Sequence, residues 1–224
     1  MAAGDLDGIR LLAPLDPADR ARLAARCAWR RYRAGELVLS RESENRDVLF
    51  VISGRLRIVN YAASGREIAY GVVEAGAHVG ELAALDGGPR SASVEAIDDC
   101  LIASLPSGPF HELLLAHPHL AVAMLKNLAR IIRHTDERIT ELSVLSAMQR
   151  IFRELHRLAR PAPGGAVIQA LPTQEQLAAM VGTTRETVAR ALGQLARDGI
   201  VRRRGRELLI LRPDQLEELS EPDG

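Results

Sequence analysis

The chain has 224 residues, 47% hydrophobic and 26% charged, with a formal net charge of zero. This is the composition of a globular protein long enough for two domains, and it excludes a disordered, highly charged chain. Cys27 and Cys100 are too few for a disulfide framework or a four-cysteine iron–sulfur cluster, and they read as small buried apolar residues in a reducing compartment.

Leu11, Leu12, Leu15 and Leu23 are spaced for short amphipathic helices over residues 5–30, with Asp16-Pro17 as a helix start. The opening residues carry no basic segment followed by an apolar run, and no stretch approaches the ~20 apolar residues of a membrane span, so a cytoplasmic protein without membrane contact is expected. From about Arg33 to Leu105 the hydrophobic period becomes two. Leu37–Leu39, Val48–Ile52, Leu56–Val59 and Ile68–Val73 read as short strands, punctuated by Gly35, Ser53-Gly54, Ser64-Gly65 and Ala75-Gly76. Many short strands at this spacing imply a small barrel or roll.

Within that region, Gly80-Glu81-Leu82-Ala83 is followed by Pro89-Arg90-Ser91. Arg90 can fork two hydrogen bonds onto phosphate oxygens. A helix starting after Gly80 would aim the backbone N–H groups of Leu82 and Ala83 at the same phosphate. Glu81 can only accept, which suits a ribose 2′-OH rather than a phosphate. Taken alone, Glu81 and Arg90 could equally be a surface ion pair beside an ordinary Gly-Gly-Pro turn. Together they suggest a nucleotide, a cyclic one. The stretch resembles the phosphate-binding cassette of cyclic-nucleotide-binding domains, and the resemblance implies that Glu81 holds the ribose while Arg90 and Ser91 hold the cyclic phosphate. Gly35-Glu36 and Val51-Ile52-Ser53-Gly54 are similar to the β-roll of those domains. Ser43-Glu44 departs from the Glu-Gly often found there.

A long helix follows, with Pro118 in its first turn and no Gly or Pro through Leu142. Leu128, Thr135 and Leu142 recur every seven residues, and Met124, Ile131, Ile132 and Ile139 fill the same stripe. The spacing predicts a coiled-coil-like seam and hence a parallel homodimer. Thr135, the polar seam residue, either sets the register or meets a ligand. Resemblance to the cyclic-AMP receptor family implies the latter, with Thr135 and Asp136 at the positions that contact the nucleotide base, one from each subunit. Ser146-x-x-Gln149 is a capping box, so a new helix begins there and Leu142–Leu145 is the expected hinge. Pro161–Gly165 reads as a surface loop between helical segments.

Residues 172–195 read as helix, tight turn, helix. Thr173 opens the first, with Leu177, Ala178 and Val181 inward, and Gly182 ends it. Thr184 caps the second, whose buried face is Val188, Leu192 and Leu195. Arg185, Glu186 and Arg190 occupy another arc of about 140° and cannot join the core. Arginine can bind guanine bidentately and glutamate can accept from cytosine, so this is chemistry for reading base edges as well as for a solvated face. Ile200-Val201 to Ile210-Leu211, reversing at Arg204-Gly205-Arg206, reads as a β-hairpin wing with guanidinium groups for phosphates. Between Arg150 and Arg212, twelve Arg stand against five acids, a local charge of +7. Val181 through Arg190 resembles the recognition helix-turn-helix of the cyclic-AMP receptor and fumarate–nitrate regulator family. That resemblance implies that Arg185, Glu186 and Arg190 read palindromic, TGTGA-like half-sites in double-stranded DNA.

The expected architecture is therefore α+β. Residues 1–116 form N-terminal helices and a cyclic-nucleotide-binding β-roll, 117–143 a dimerisation helix, and 144–224 a winged helix-turn-helix. The expected function is that of a homodimeric transcription regulator responsive to a cyclic nucleotide. Cyclic AMP is favoured because Thr135 is kept. Cyclic GMP is the rival, since Asp136 can accept from guanine N1–H and N2–H₂. Two alternatives stay open: a ligand-independent DNA binder with a relic pocket, and a regulatory subunit docked on an enzyme, which the +7 segment disfavours. RNA polymerase is a further partner implied by the family. His78 is a lone imidazole, and His111, His117 and His119 match no zinc spacing, so no metal is expected. No nucleophile–base pair or phosphate-loop lysine points to an enzyme. The tail Glu217–Asp223 reads as a solvated end.

Overall fold

The computed structural model describes residues 5–61 and 67–222. The chain folds into two compact units that divide between Ile131 and Ile132.

In the first unit a 3-10 turn at Arg10–Leu12 leads to α1 (Pro17–Ala24), whose first free amides are satisfied by Asp16, accepting from Asp19 N at 2.7 Å. Strands β1 (Ala28–Tyr32), β8 (Cys100–Leu105), β3 (Val48–Ser53) and β6 (His78–Val79) form one antiparallel sheet in that order. Strands β2 (Leu37–Leu39), β7 (Ser93–Ala96), β4 (Arg55–Tyr61) and β5 (Glu67–Glu74) form the other. Leu49 and Val51 pack between the sheets with Leu56, Val94 and Ile102, whereas Val48 and Phe50 pack outward against Leu12, Phe110 and Leu120. Residues 48–52 thus read as an unbroken apolar run because β3 is buried on both faces. A large side chain fully withdrawn from water, such as Phe50, contributes about 1.5–3 kcal/mol. Helices α2 (Glu81–Asp86), α3 (Ser107–Ala116) and α4 (Pro118–Val144) follow their neighbouring strands in the chain.

The second unit contains the end of α4, then α5 (Ala147–Leu158), started by the Ser146/Gln149 capping box that the sequence predicts. Strands β9 (Arg160–Ala162), β10 (Gly165–Ile168), β11 (Val201–Arg204) and β12 (Glu207–Ile210) form one sheet, ordered β11-β12-β10-β9. Helices α6 (Gln174–Val181) and α7 (Arg185–Arg197) make the helix-turn-helix, and α8 (Pro213–Glu218) closes the unit. Its core joins Ile151, Leu155, Leu177, Val188, Leu195 and Leu208.

Several expectations are corrected. Residues 28–30, at the end of the expected helical stretch, belong to strand β1 instead, because they pair in register with β8, Trp29 opposite Ala103. The 161–165 segment is not a loop between helices: Pro161 and Ala162 lie in β9 and Gly165 in β10, and the hairpin turns at residues 163–164. Helix α4 continues to Val144, so the expected hinge narrows to Leu145, which is buried. Met124 leaves the expected seam: it is 2% exposed, within the first unit's core, and Leu128 packs partly against the same core. The tail is solvated as expected at Glu217, Glu218, Glu221 and Pro222, but it is tethered to the unit. Leu216 and Ser220 are buried, and Gln149 Nε2 donates to Glu221 O at 2.6 Å. Asp223, like Ser64 and Gly65, lies outside the described residues.

Candidate functional site

The first constellation lies where β6 passes into α2. Gly80 sits at φ +85°, and a side chain there would meet Asp47 O at 2.9 Å and Arg90 Nη1 at 2.7 Å. Only glycine both adopts this backbone and leaves room for the guanidinium behind it. Leu82 and Ala83 follow in the first turn of α2, where backbone N–H groups lack helical partners.

Arg90 is 3% exposed. Its Nη1 donates to Gly80 O at 2.8 Å, and its Nη2 donates to Asp47 O at 2.9 Å and to Asn45 Oδ1 at 3.2 Å. Its Nε is buried with no hydrogen-bond partner among the described residues. Burial pulls the guanidinium pKa down, against the charges of Asp47 and Glu81, but leaves the group ionised at neutral pH. Glu81 is buried as well. Burial pushes its carboxyl above the usual range, opposed by its own amide and by Arg90. Ser91 is exposed on the next residue.

Two of the three partners of Arg90, Asn45 and Asp47, lie in a segment with no sequence signal tying it to that arginine. Residues 43–47 form successive side-chain-capped turns: Ser43 Oγ accepts from Asn45 N at 3.2 Å and Asn45 Oδ1 from Asp47 N at 2.6 Å. Asp47 Oδ2 in turn accepts from Ser104 Oγ at 2.6 Å, fixing the segment to β8. The Ser-x-Asn-x-Asp spacing is a turn signal, but no local pattern says that an arginine 45 residues away will use it.

Thr135 and Asp136 belong to the second unit, both exposed on α4. Along that helix Leu125, Ile132, Ile139 and Leu142 stand 65%, 60%, 57% and 53% exposed. With Leu128 and Thr135 they alternate at spacings of three and four, the a/d pattern of a coiled coil.

The helix-turn-helix is built from local signals. Thr173 Oγ1 accepts from Gln176 N, and Gln176 Oε1 accepts from Thr173 N, opening α6. Gly182 ends it at φ +68°. Thr184 Oγ1 accepts from Thr187 N at 3.3 Å and opens α7. Arg185, Glu186 and Arg190 are exposed along one side, and Arg190 Nη2 donates to Thr187 Oγ1 at 3.4 Å. Glu186 is held below the usual carboxyl range, first by its own amide and then by the Thr184 hydroxyl. Arg204 bonds Glu207 Oε2 through Nε and Nη2 at 2.9 and 2.7 Å. Arg203 and Arg206 instead line a cleft of about 440 Å³, together with Thr173, Glu175 and Arg185. Arg203 was not singled out from the sequence, because three consecutive arginines (202–204) give no clue to which one faces the cleft.

Comparison with known proteins decides what these two constellations belong to. Residues 29–117 match the model of the cyclic nucleotide-binding domain, and residues 149–219 match that of the Crp-like helix-turn-helix domain. A CRP-like cAMP-activated global transcriptional regulator of Mycobacterium tuberculosis is 31% identical over 180 residues, covering 78% of this chain and 80% of its own. The chain belongs to the CRP/FNR family. A cyclic AMP receptor protein of Thermus thermophilus is 32% identical over 173 residues, covering 77% and 79% of the two chains. The solved structure of a CooA mutant from Carboxydothermus hydrogenoformans superposes with a TM-score of 0.76 at 25% identity, covering 88% of this chain and 89% of that one. This CRP/FNR protein is thus a cyclic-nucleotide-binding, DNA-binding transcription regulator rather than an enzyme, and its fold is the expected roll and helix-turn-helix. Among the described residues, no helix is long and apolar enough to cross a membrane.

Proposed function

We propose that the chain works in the cytoplasm as a homodimer that takes cyclic AMP in its β-roll and, when loaded, binds palindromic TGTGA-like DNA. The observation that carries the ligand reading is the buried Arg90 guanidinium, whose hydrogen bonds among the described residues go to neutral oxygens and whose Nε finds no acceptor there. A buried cation without a paired anion is costly, by several kcal/mol, and a phosphate would supply both the charge and the missing acceptor. Glu81 is the complementary group: a buried acceptor suited to the ribose 2′-OH. Ser91 and the amides of Leu82 and Ala83 complete the phosphate side, with Gly80 shaping it. Thr135 and Asp136 take the base, and Thr135 together with the cyclic AMP named in the two regulators above favours adenine.

Arg185, Glu186 and Arg190 read base edges, while Thr173, Thr184, Arg204 and Arg206 meet phosphates, joined by Arg203. The regular, exposed stripe on α4 supports the dimer, since an apolar seam of this period is covered by its own copy in a coiled coil. The functional division follows: residues 1–116 sense, 117–143 pair, and 144–224 read DNA. RNA polymerase is the partner downstream.

Calorimetric titration of cyclic AMP and cyclic GMP into the full chain tests the ligand. Saturable heat with cyclic AMP, lost in Arg90→Met, is the expected result. Preference for cyclic GMP would assign the base to Asp136. No heat from either, with retention of a TGTGA-like duplex, would leave a ligand-independent DNA binder.

A further inference from the structure

Helix α6 ends at Val181, one turn before the recognition helix begins, and its last carbonyls have no intrahelical donors. Ala178 O is met within the turn by Thr183 N at 3.0 Å. The three carbonyls at the mouth of the turn are met from elsewhere. Arg138 Nη2, on α4, donates to Met180 O at 2.6 Å. Arg150, on α5, donates through Nε to Val181 O at 2.9 Å and through Nη2 to Gly182 O at 3.5 Å. Its remaining nitrogen, Nη1, reaches Leu145 O at 2.8 Å, at the two-residue break between α4 and α5. Leu142, on the exposed stripe of α4, comes within 3.4 Å of where a Gly182 side chain would start.

Two guanidinium groups therefore terminate α6, where the negative end of the helix dipole favours cations. Arg138 belongs to α4 itself, and Arg150 to α5, the first helix after the break. We propose that Arg138 and Arg150 are positioning residues for DNA recognition. They tie the C-terminal end of α4 and the break at Leu145 to the Met180–Gly182 turn, so that α7 is carried with α4. Arg150 is the pivot, since one planar group holds the break and the turn together. Neither residue needs to touch DNA.

This inference rests on the reading that α7 enters DNA in response to a nucleotide, and the test separates the two. Arg138→Met and Arg150→Met keep the aliphatic stems and remove the donors, and Arg138→Lys restores one charged donor. Hydrogen exchange on the full chain, without nucleotide, should show the Gly182 and Thr183 amides exchanging on the order of tenfold faster in the Met variants. The amides of α8 should be unchanged, and Arg138→Lys should return part of the protection. Fluorescence anisotropy on a TGTGA-like duplex, with and without cyclic AMP, gives the ratio of the two affinities. That ratio should fall at least about fivefold in the Met variants, whereas a merely structural role would weaken both affinities alike. Unchanged exchange at Gly182 and Thr183, or an unchanged ratio beside faster exchange, overturns the proposal. A wild-type ratio of one overturns the cyclic-AMP reading instead, and the exchange result then decides the tether by itself.

Discussion

Replacing Glu81 by Gln separates what the fold wants at this position from what the ligand wants. The carboxylate is 8% exposed, and burial raises its pKa against its own amide and the Arg90 charge. A neutral, isosteric amide removes a poorly compensated buried charge, a change on the scale of ~1 kcal/mol, which raises the first unit's Tm by roughly 2–4 °C. The bound nucleotide feels the opposite effect. A hydroxyl donating to a carboxylate is worth ~1.5–3 kcal/mol and to a neutral amide oxygen ~0.5–1.5, so Glu81→Gln loses about 1–1.5 kcal/mol, close to tenfold in Kd. pH adds a second signature. The ribose needs the ionised form, so wild-type affinity falls as pH drops through the raised Glu81 pKa, while the burial penalty on the fold is relieved over the same window. The variant should lack the Glu81 part of both dependences. Calorimetry with cyclic AMP and thermal melts across pH 4–8 measure the two together. A variant that melts lower and binds cyclic AMP as well as wild type would refute the reasoning.

Arg190→Ala should cost ~1–3 kcal/mol on the cognate duplex and relax discrimination at one base pair, read by anisotropy on a set of single-substituted half-sites; equal loss on random DNA would make Arg190 a phosphate contact. Ile132→Glu with Ile139→Glu places charges on the exposed stripe of α4 and should halve the mass seen by light scattering, leaving the far-ultraviolet circular dichroism intact. His78 has its pKa pushed down to about 4 by burial and by the charges of Arg10 and Arg130. The unfolded chain takes up this proton near the ordinary 6.5 and the folded chain does not, so stability falls as pH drops from 6.5 to 4, by up to about 3 kcal/mol. His78→Phe should remove that part of the acid loss in urea melts.

The helix-turn-helix was legible almost residue by residue because its determinants are local. Thr173, Gly182 and Thr184 each act within four positions of themselves, and the structure gives each the predicted role. Strand β1 was not legible. Its sequence, Ala28-Trp29-Arg30-Arg31-Tyr32, has no period of two, and it becomes a strand because β8 offers it a ladder. Met124 misled for a different reason. Helix α4 serves two apolar demands at once, and a heptad count cannot tell which side faces a core of its own chain. The cassette at Gly80–Ser91 could be recognised from its residue types. What the Arg90 guanidinium bonds within the chain depends on Asn45 and Asp47, which only the fold brings near.

That last arrangement gives the Arg90 site an internal competitor. A phosphate approaching Arg90 must contend with two peptide oxygens and an amide oxygen already seated on the same N–H groups, so the strength of messenger capture is governed partly by how readily residues 43–47 let go. Substitutions at Ser43 or Asn45, which need never touch the messenger, would then tune the sensor's threshold while leaving its chemical selectivity alone.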